Sequence, residues 1–181
     1  MPDPGGPALE RHWAGWRSDY ITSAFAGDAD PAASGGDEGE GSLFERILHS
    51  GLPDDQTFIL WRGERTFAIL NAYPYGSGHL MVLPQVAAPD LTDLDVDTSA
   101  ELWAGVNLAV QAIRAAYDPD GVNVGINLGA GAGAGVPDHL HVHCMPRWQG
   151  DTNFITTIAE TRVLPEPLAV SFEKLTAAWP A

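Results

Sequence analysis

Five residues, His139-Leu140-His141-Val142-His143, alternate strictly between imidazole and aliphatic side chains, and Cys144 continues the apolar phase. A period of two places successive side chains on opposite faces of an extended strand. The segment 139–145 therefore reads as a strand with one face in an apolar core. The other face carries three imidazoles spaced roughly 6.5–7 Å apart at the usual strand rise. The chain has six histidines, and half of them fall within these five residues. Imidazoles are costly to bury without partners, so three in register have no packing rationale.

Two chemistries compete for such a row. Neutral imidazole is a common metal ligand, and two histidines at i and i+2 on a strand can chelate zinc. Against zinc, the nearby Asp138 and Asp151 are not obviously placed as a further ligand. The alternative is attack on phosphorus, with an imidazole forming a phosphoramidate that a second nucleophile resolves. The preceding loop, Gly129-Ala130-Gly131-Ala132-Gly133-Ala134-Gly135, favours this second chemistry. Small residues let backbone N–H groups approach a phosphate, which makes Gly133 and Gly135 candidate phosphate contacts. Flanking histidines would fix the tautomer of the central ring by hydrogen bonding and place positive charge near the phosphoryl oxygens.

Charge narrows the partners. Twenty-four acidic residues against nine basic ones give a formal net charge of −15. Binding a duplex relies on Lys and Arg to neutralise phosphates, so no duplex nucleic acid partner is expected. A small anionic substrate remains compatible if a local site supplies donors. The single cysteine, Cys144, excludes an intramolecular disulfide and argues against a Cys-based zinc site. No apolar run of about 18 residues suggests a membrane span, and the N-terminus lacks the pattern of a signal peptide. A cytoplasmic protein with no membrane partner is the expectation.

Organisation follows composition. Residues 1–41 read as a flexible N-terminal arm, with aromatic residues at 13–20, followed by an acidic, Gly-rich loop that cannot bury enough surface to order itself. Residues 42–165 read as an α+β domain, an antiparallel sheet of about five strands packed with a long helix. Ser42 three before Glu45 is a capping box, opening a short helix with Leu43, Phe44, Ile47 and Leu48 at helical spacing. Strands are expected at 58–61, 66–70, 79–84, 122–127 and 139–145, the first two joined as a hairpin by Arg62-Gly63-Glu64-Arg65. Residues 98–117 form the long helix, with Leu102, Val106, Ala109, Val110 and Ile113 on one face, stopped by Asp118-Pro119-Asp120-Gly121. After Pro146 the chain reads as irregular. Residues 166–181 form a tail expected to pack, through aromatic residues such as Trp179, on the domain or on a partner subunit.

The sequence His139-Leu140-His141-Val142-His143-Cys144-Met145 resembles the signature of the histidine triad (HIT) family. The resemblance includes Asn71-Ala72-Tyr73-Pro74-Tyr75-Gly76-Ser77-Gly78-His79-Leu80-Met81-Val82-Leu83-Pro84 and Gly125-Ile126-Asn127-Leu128-Gly129 upstream. Downstream it continues through Pro146-Arg147-Trp148 to Asp151-Thr152-Asn153-Phe154. It spans roughly residues 42–165, and this last stretch is most similar to the bacterial Ap4A phosphorylase-like branch. The resemblance implies a HIT fold and a nucleotidyl transferase or hydrolase acting on dinucleoside polyphosphates, or on related phosphoanhydrides and phosphoramidates. Water and inorganic phosphate are both open as acceptors. A degenerate nucleotide sensor and a metal-dependent hydrolase are the alternatives.

By position, the resemblance makes His141 the nucleophile, His139 and His143 residues that orient it and contact phosphate, and His79 the fourth histidine. It sets Asn127 on the phosphate side and Asn71 at the ribose. Phe44, Ile47 and Ile69 surround the base, and Arg147 and Trp148 are candidates for phosphate and base. It implies a homodimer or higher homo-oligomer. No cofactor is required by the covalent step, and Mg²⁺ enters only with a polyphosphate substrate. Three departures stand out. Ser42 and Glu45 occupy positions where many relatives have a zinc-binding C-x-x-C, so no structural zinc is expected. Asn71 replaces an acid, and Gly135-Val136-Pro137 replaces residues that offer a side chain to the leaving group.

Overall fold

The computed structural model describes residues 41–151 and 166–180. The N-terminal arm, the acidic loop up to residue 40 and the 152–154 part of the motif lie outside the described residues.

Five strands form one antiparallel sheet in the order β1-β2-β3-β5-β4. They are β1 (Ile59–Arg62), β2 (Thr66–Leu70), β3 (Leu80–Pro84), β4 (Gly121–Ile126) and β5 (Val142–Arg147). The expected hairpin is present, and Gly63 N–H closes its turn on the Thr66 carbonyl at 2.8 Å. Period two does what the sequence suggested. Leu80, Val82, Val142 and Cys144 point to one face, Met81 and Leu83 to the other, and the odd-numbered histidines share that second face.

The first face is covered by two helices, α3 (Val96–Tyr117) and α4 (Leu168–Ala178), of which α3 lies across β2, β3 and β5. Helix α3 starts two residues before the expected position because the Asp95 side chain accepts the Thr98 N–H and caps it. Leu102, Val106, Ala109 and Ile113 are buried as expected, with Gly105 and Ala112, whereas Val110 is half-buried. Gly105 permits close approach to the sheet: a Cβ there would sit 3.0 Å from Val82 and 3.1 Å from the Trp61 ring. Burying side chains such as Leu102 and Ile113 contributes about 1.5–3 kcal/mol each.

The second face is covered more thinly, by α1 (Leu43–Leu48) and by Val136 from the glycine loop, over Phe67, Ile69, Met81 and Leu83. A single turn, α2 (Asp54–Thr57), leads from α1 into β1.

Two expectations are corrected. The region after Pro146 is not irregular throughout, because α4 buries Leu168, Ser171 and Leu175 against α3 and β1. Trp179, just beyond it, stacks on Trp61 with ring centroids 6.3 Å apart. The histidine segment also enters the sheet later than expected. Pairing begins at Val142, while Leu140 N–H bonds the Ala88 carbonyl at 2.7 Å.

Candidate active site

The histidine face is wired by hydrogen bonds that dictate ring tautomers. Tyr75 N–H donates to His79 Nδ1 at 3.0 Å. A backbone amide can only donate, so Nδ1 is the unprotonated nitrogen and neutral His79 carries its proton on Nε2. That proton points at His143 Nδ1, 3.0 Å away. His143 is thereby left with Nε2–H as its outward group. His141 is set independently: its Nδ1 lies 2.8 Å from the His139 carbonyl, which can only accept. Nε2 of His141 is therefore the nitrogen that carries the lone pair, with its ring buried 4.9 Å from that of His143. Burial lowers the pKa of His141 despite that bond, and burial with the neighbouring His141 pushes His143 down to about 4. Both rings are neutral at pH 7, so the positive charge expected of the flanking histidines is not present, because burial disfavours the imidazolium; His143 offers a neutral N–H donor instead.

His139 has a different environment. Its ring is fully buried, with Nε2 2.8 Å from the Pro84 carbonyl and Nδ1 2.5 Å from Ser42 Oγ. Both nitrogens are engaged within the protein, so the phosphate contact expected of His139 has no ring atom to make it. Burial also depresses its pKa. Ser42 accepts Glu45 N–H while bonding His139, and Glu45 returns its carboxylate to Ser42 N–H at 2.6 Å and to Ala87 N–H at 3.0 Å. Burial raises the Glu45 pKa, but these backbone donors outweigh it and hold the carboxylate ionised. The capping box of α1 is thus continuous with the histidine row. The Ser42–His139 pair was invisible in sequence, because nothing in a helix cap announces a partner 97 residues away.

Phe44 joins the two elements, its ring edge-on to His139 at 5.4 Å and tilted to His141 at 5.5 Å. Ile47 is half-buried beside it, while Ile69 is only 3% exposed beneath and acts as core. Asn71 is buried, with Oδ1 accepting Tyr73 N–H at 2.8 Å and Nδ2 3.5 Å from His79 Nδ1. It braces the loop that holds His79. Asn127 directly follows β4, whose Gly125 pairs with His143, so it extends the strand edge beside the histidines. On that flank a groove of about 480 Å³ is lined by Tyr75, His79, Asn123, Asn127, His143 and Met145. Tyr75 packs its ring on both His79 (4.7 Å) and His143 (5.8 Å), a contact whose only sequence signal was an aromatic residue in the loop before His79.

Other expected residues are not brought to this centre. Arg147 lies six residues along β5 from His141, roughly 20 Å at the usual strand rise. There it forms a two-pronged ion pair with Asp151 at 2.5 and 2.6 Å. Trp148 packs on Tyr117 at 6.1 Å. Neither reaches the triad within the described residues. In the glycine loop, Gly133 N–H is used within the turn, on the Ala130 carbonyl, and Gly135 lies on its exposed rim.

A HIT domain model matches residues 53–150, more than half of the chain. The chain belongs to the HIT family. This HIT protein is 39% identical over 171 residues to the AP-4-A phosphorylase of Mycobacterium tuberculosis, covering 94% of this chain and 85% of that protein. It is 36% identical over 93 residues to the asymmetrical bis(5'-nucleosyl)-tetraphosphatase of Schizosaccharomyces pombe, covering 51% and 50% of the two chains. Among solved structures, a Zn-bound histidine triad family protein from Mycobacterium smegmatis superposes with a TM-score of 0.61 at 29% identity, over 76% of this chain and 91% of that one.

The donors around His139 do not fit a structural zinc ion: where the resemblance sets a C-x-x-C stand a neutral serine hydroxyl and a carboxylate that accepts two backbone amides, and both His139 nitrogens are engaged. Cys144, the sole cysteine, is buried on the opposite face, where burial pushes its thiol up to about 12. Among the described residues, no group of three His, Cys, Asp or Glu side chains could hold a metal.

Proposed function

We propose that this HIT protein transfers a nucleotidyl group from a dinucleoside polyphosphate, Ap4A or a close relative, through His141 to inorganic phosphate. The observation that carries this reading is the pairing of His141 Nδ1 with a backbone carbonyl, which leaves Nε2 as a lone pair beside a neutral histidine donor. Nε2 attacks the phosphorus next to one nucleoside, a P–N bond forms, and the P–O bond to the rest of the polyphosphate breaks. His141 becomes cationic, and the His139 carbonyl stabilises the proton held on Nδ1. His143 Nε2–H donates to the phosphoryl oxygen as charge builds on it. Phosphate then attacks the opposite side, the P–N bond breaks, and Ap4A plus phosphate has become ATP plus ADP.

The leaving group supports an anhydride over a phosphoramidate. A polyphosphate departs as a delocalised anion, whereas an amine must be protonated as it leaves. Gly135-Val136-Pro137 offers no side-chain acid for that purpose. The base is read as resting by Phe44 and Ile47, and the leaving nucleotide as extending along the groove between Tyr75 and Asn127. No Lys or Arg lines that groove among the described residues, so Mg²⁺ is read as entering with the polyphosphate as its counter-ion. Phosphate is chosen over water as acceptor on the long match to the Mycobacterium tuberculosis enzyme, against half-length coverage of the tetraphosphatase.

We read the assembly as a homodimer or larger homo-oligomer. Strand β4 is an edge with exposed residues on both faces, including Val124 at 42% exposure. Among the described residues no helix is long and apolar enough to cross a membrane. A nucleotide substrate and a buried free thiol suit the reducing cytoplasm.

The test is turnover of Ap4A with and without phosphate, by wild type and by His141→Ala. Equimolar ADP and ATP formed only with phosphate, and an adenylylated His141 trapped by acid-free quenching, are expected. AMP and ATP formed in water would make the protein a hydrolase. Full activity in His141→Ala would remove the nucleophile, and binding without turnover would leave a sensor.

A further inference from the structure

The loop that aims an amide at His79 is itself held from the far side of the sheet. Gly78 N–H donates to Ser171 Oγ at 3.3 Å, and Ser171 belongs to α4, in the helix layer opposite the histidines. Ser171 is 2% exposed on a helix face whose other buried members are Leu168 and Leu175. A serine among leucines there needs a polar reason. Its hydroxyl donates to Glu166 Oε1 at 2.7 Å. The same carboxylate takes the Tyr117 hydroxyl on Oε1 and Lys174 Nζ on Oε2 at 2.5 Å. Burial raises the Glu166 pKa, but these three donors outweigh it, so the carboxylate is a fixed acceptor that draws the Ser171 hydroxyl proton to itself and leaves the oxygen lone pairs for the Gly78 N–H. Gly78 is clamped as well as bonded. It has a φ of +71°, and a Cβ there would come within 2.6 Å of the Tyr117 ring and 3.2 Å of Pro146.

We propose that Ser171 is a positioning residue for the histidine site, acting through the backbone of residues 75–79 to fix the tautomer of His79. The chain of contacts is short and continuous. Glu166 orients Ser171, Ser171 takes the Gly78 N–H, and the turn closes through His79 N–H on the Gly76 carbonyl at 3.3 Å. In that turn the Tyr75 N–H faces His79 Nδ1, which forces the proton to Nε2 and hence toward His143. Without the serine oxygen, a buried amide loses its acceptor and the turn relaxes. The Asn71 Nδ2 contact to His79 Nδ1, at 3.5 Å, is then left to hold the proton on Nε2, and a contact that long holds it weakly, so His143 is less firmly obliged to present Nε2–H. Ser171 touches no substrate in this scheme. The catalytic consequence rests on the proposed reaction, but the tautomer consequence does not.

The decisive measurement is the pair of imidazole ¹⁵N shifts of His79, from long-range proton–nitrogen correlation on the full chain, in wild type, Ser171→Ala, Ser171→Thr and Leu175→Ala. Wild type is expected to show a bare Nδ1 and a protonated Nε2. Ser171→Ala is expected to move both shifts toward a mixture of tautomers, with Ser171→Thr returning toward wild type. Leu175→Ala removes apolar volume from the same helix and is expected to lower Tm while leaving the His79 shifts in place. In Ap4A turnover, Ser171→Ala is expected to lower kcat about three- to tenfold with KM within twofold. Unchanged His79 shifts in Ser171→Ala, or equal shifts in Leu175→Ala, would overturn the proposal. Absence of Ap4A turnover in wild type would instead sink the proposed reaction, and the shifts would still decide the role of Ser171.

Discussion

The imidazole of His141 bonds through Nδ1 to the carbonyl oxygen of His139, two residues earlier in the same chain, at 2.8 Å. The middle histidine is thus oriented by the backbone of the first, while the ring of the first turns into the protein to bond Ser42 and Pro84. The three imidazoles of the triad therefore have three separate environments, which under the proposed reaction serve as an anchor, a reacting group and a donor.

The anchor makes Ser42 more than a helix cap. Ser42→Ala removes the α1 cap, a loss of about 0.5–2 kcal/mol, and leaves a buried His139 nitrogen unpaired, a loss of about 1–3 kcal/mol. Thermal unfolding is expected to drop by roughly 5–15 °C for a chain of this size. A change within about 1 °C would show that the Ser42–His139 bond contributes nothing.

The donor is tested by His143→Ala and His79→Ala. Removing one donor to a developing oxyanion typically costs about 10²–10³ in kcat. His143→Ala is expected in that range, and His79→Ala to lose less, since it acts by fixing its neighbour. Single-turnover rates that rank the two in the opposite order would contradict the relay from His79 to His143.

The buried, neutral histidines couple stability to pH. His139, His141 and His143 all have lowered pKa values in the folded chain, His143 near 4, against about 6.5 unfolded. The unfolded chain then binds more protons below about pH 6.5, so stability is complete above that pH and falls as pH drops toward 4. Urea unfolding across this window should show the fall, and His143→Gln should make it shallower. A flat profile from pH 7 to 4.5 would show that these rings are not held neutral.

Leaving-group chemistry separates substrates. Ap4A is expected to be turned over faster than an adenosine 5'-phosphoramidate with an unactivated amine, because nothing in the glycine loop protonates nitrogen. Comparable kcat/KM values for the two would require an acid that the described residues do not supply.

Edge strand β4 carries the proposed assembly. Val124→Lys sets a charge on an exposed strand edge that the single chain tolerates, so the fold should persist while the oligomer dissociates. Light scattering should report the smaller mass. An unchanged mass would move the interface elsewhere.

Much of this architecture was legible because it rests on local periodicity. Period two gave β5 its faces, and helical spacing gave α3, although spacing alone starts it two residues late because the Asp95 cap precedes the periodic residues. Helix α4 was missed because its entry is proline-rich and its buried face reads Leu168, Ser171, Leu175, an apolar stripe broken by the residue that bonds Gly78. His139 was assigned with its neighbours because period two reports a face, not a depth. The chain has not yet entered the sheet at that point, and α1 closes over the ring. The resemblance makes Arg147 and Trp148 candidates for phosphate and base, but in the described chain they lie six and seven residues beyond His141, one paired with Asp151 and the other packed on Tyr117. The tautomers lay beyond sequence altogether, since they depend on a backbone amide and a carbonyl that any residue could have provided.

Among the described residues the two sheet faces are covered unequally. Two helices seal one side around Leu102, Ile113 and Leu175, while a six-residue helix and a glycine loop lie over the other. Lifting that thin cover is a local event, far smaller than opening the helical core. Substrate entry and product exit can then proceed without loosening the strands that hold the histidines. Substitutions around Phe44, Ile47 and Val136 can alter which nucleotide is admitted while most of the folding free energy stays out of reach behind the sheet.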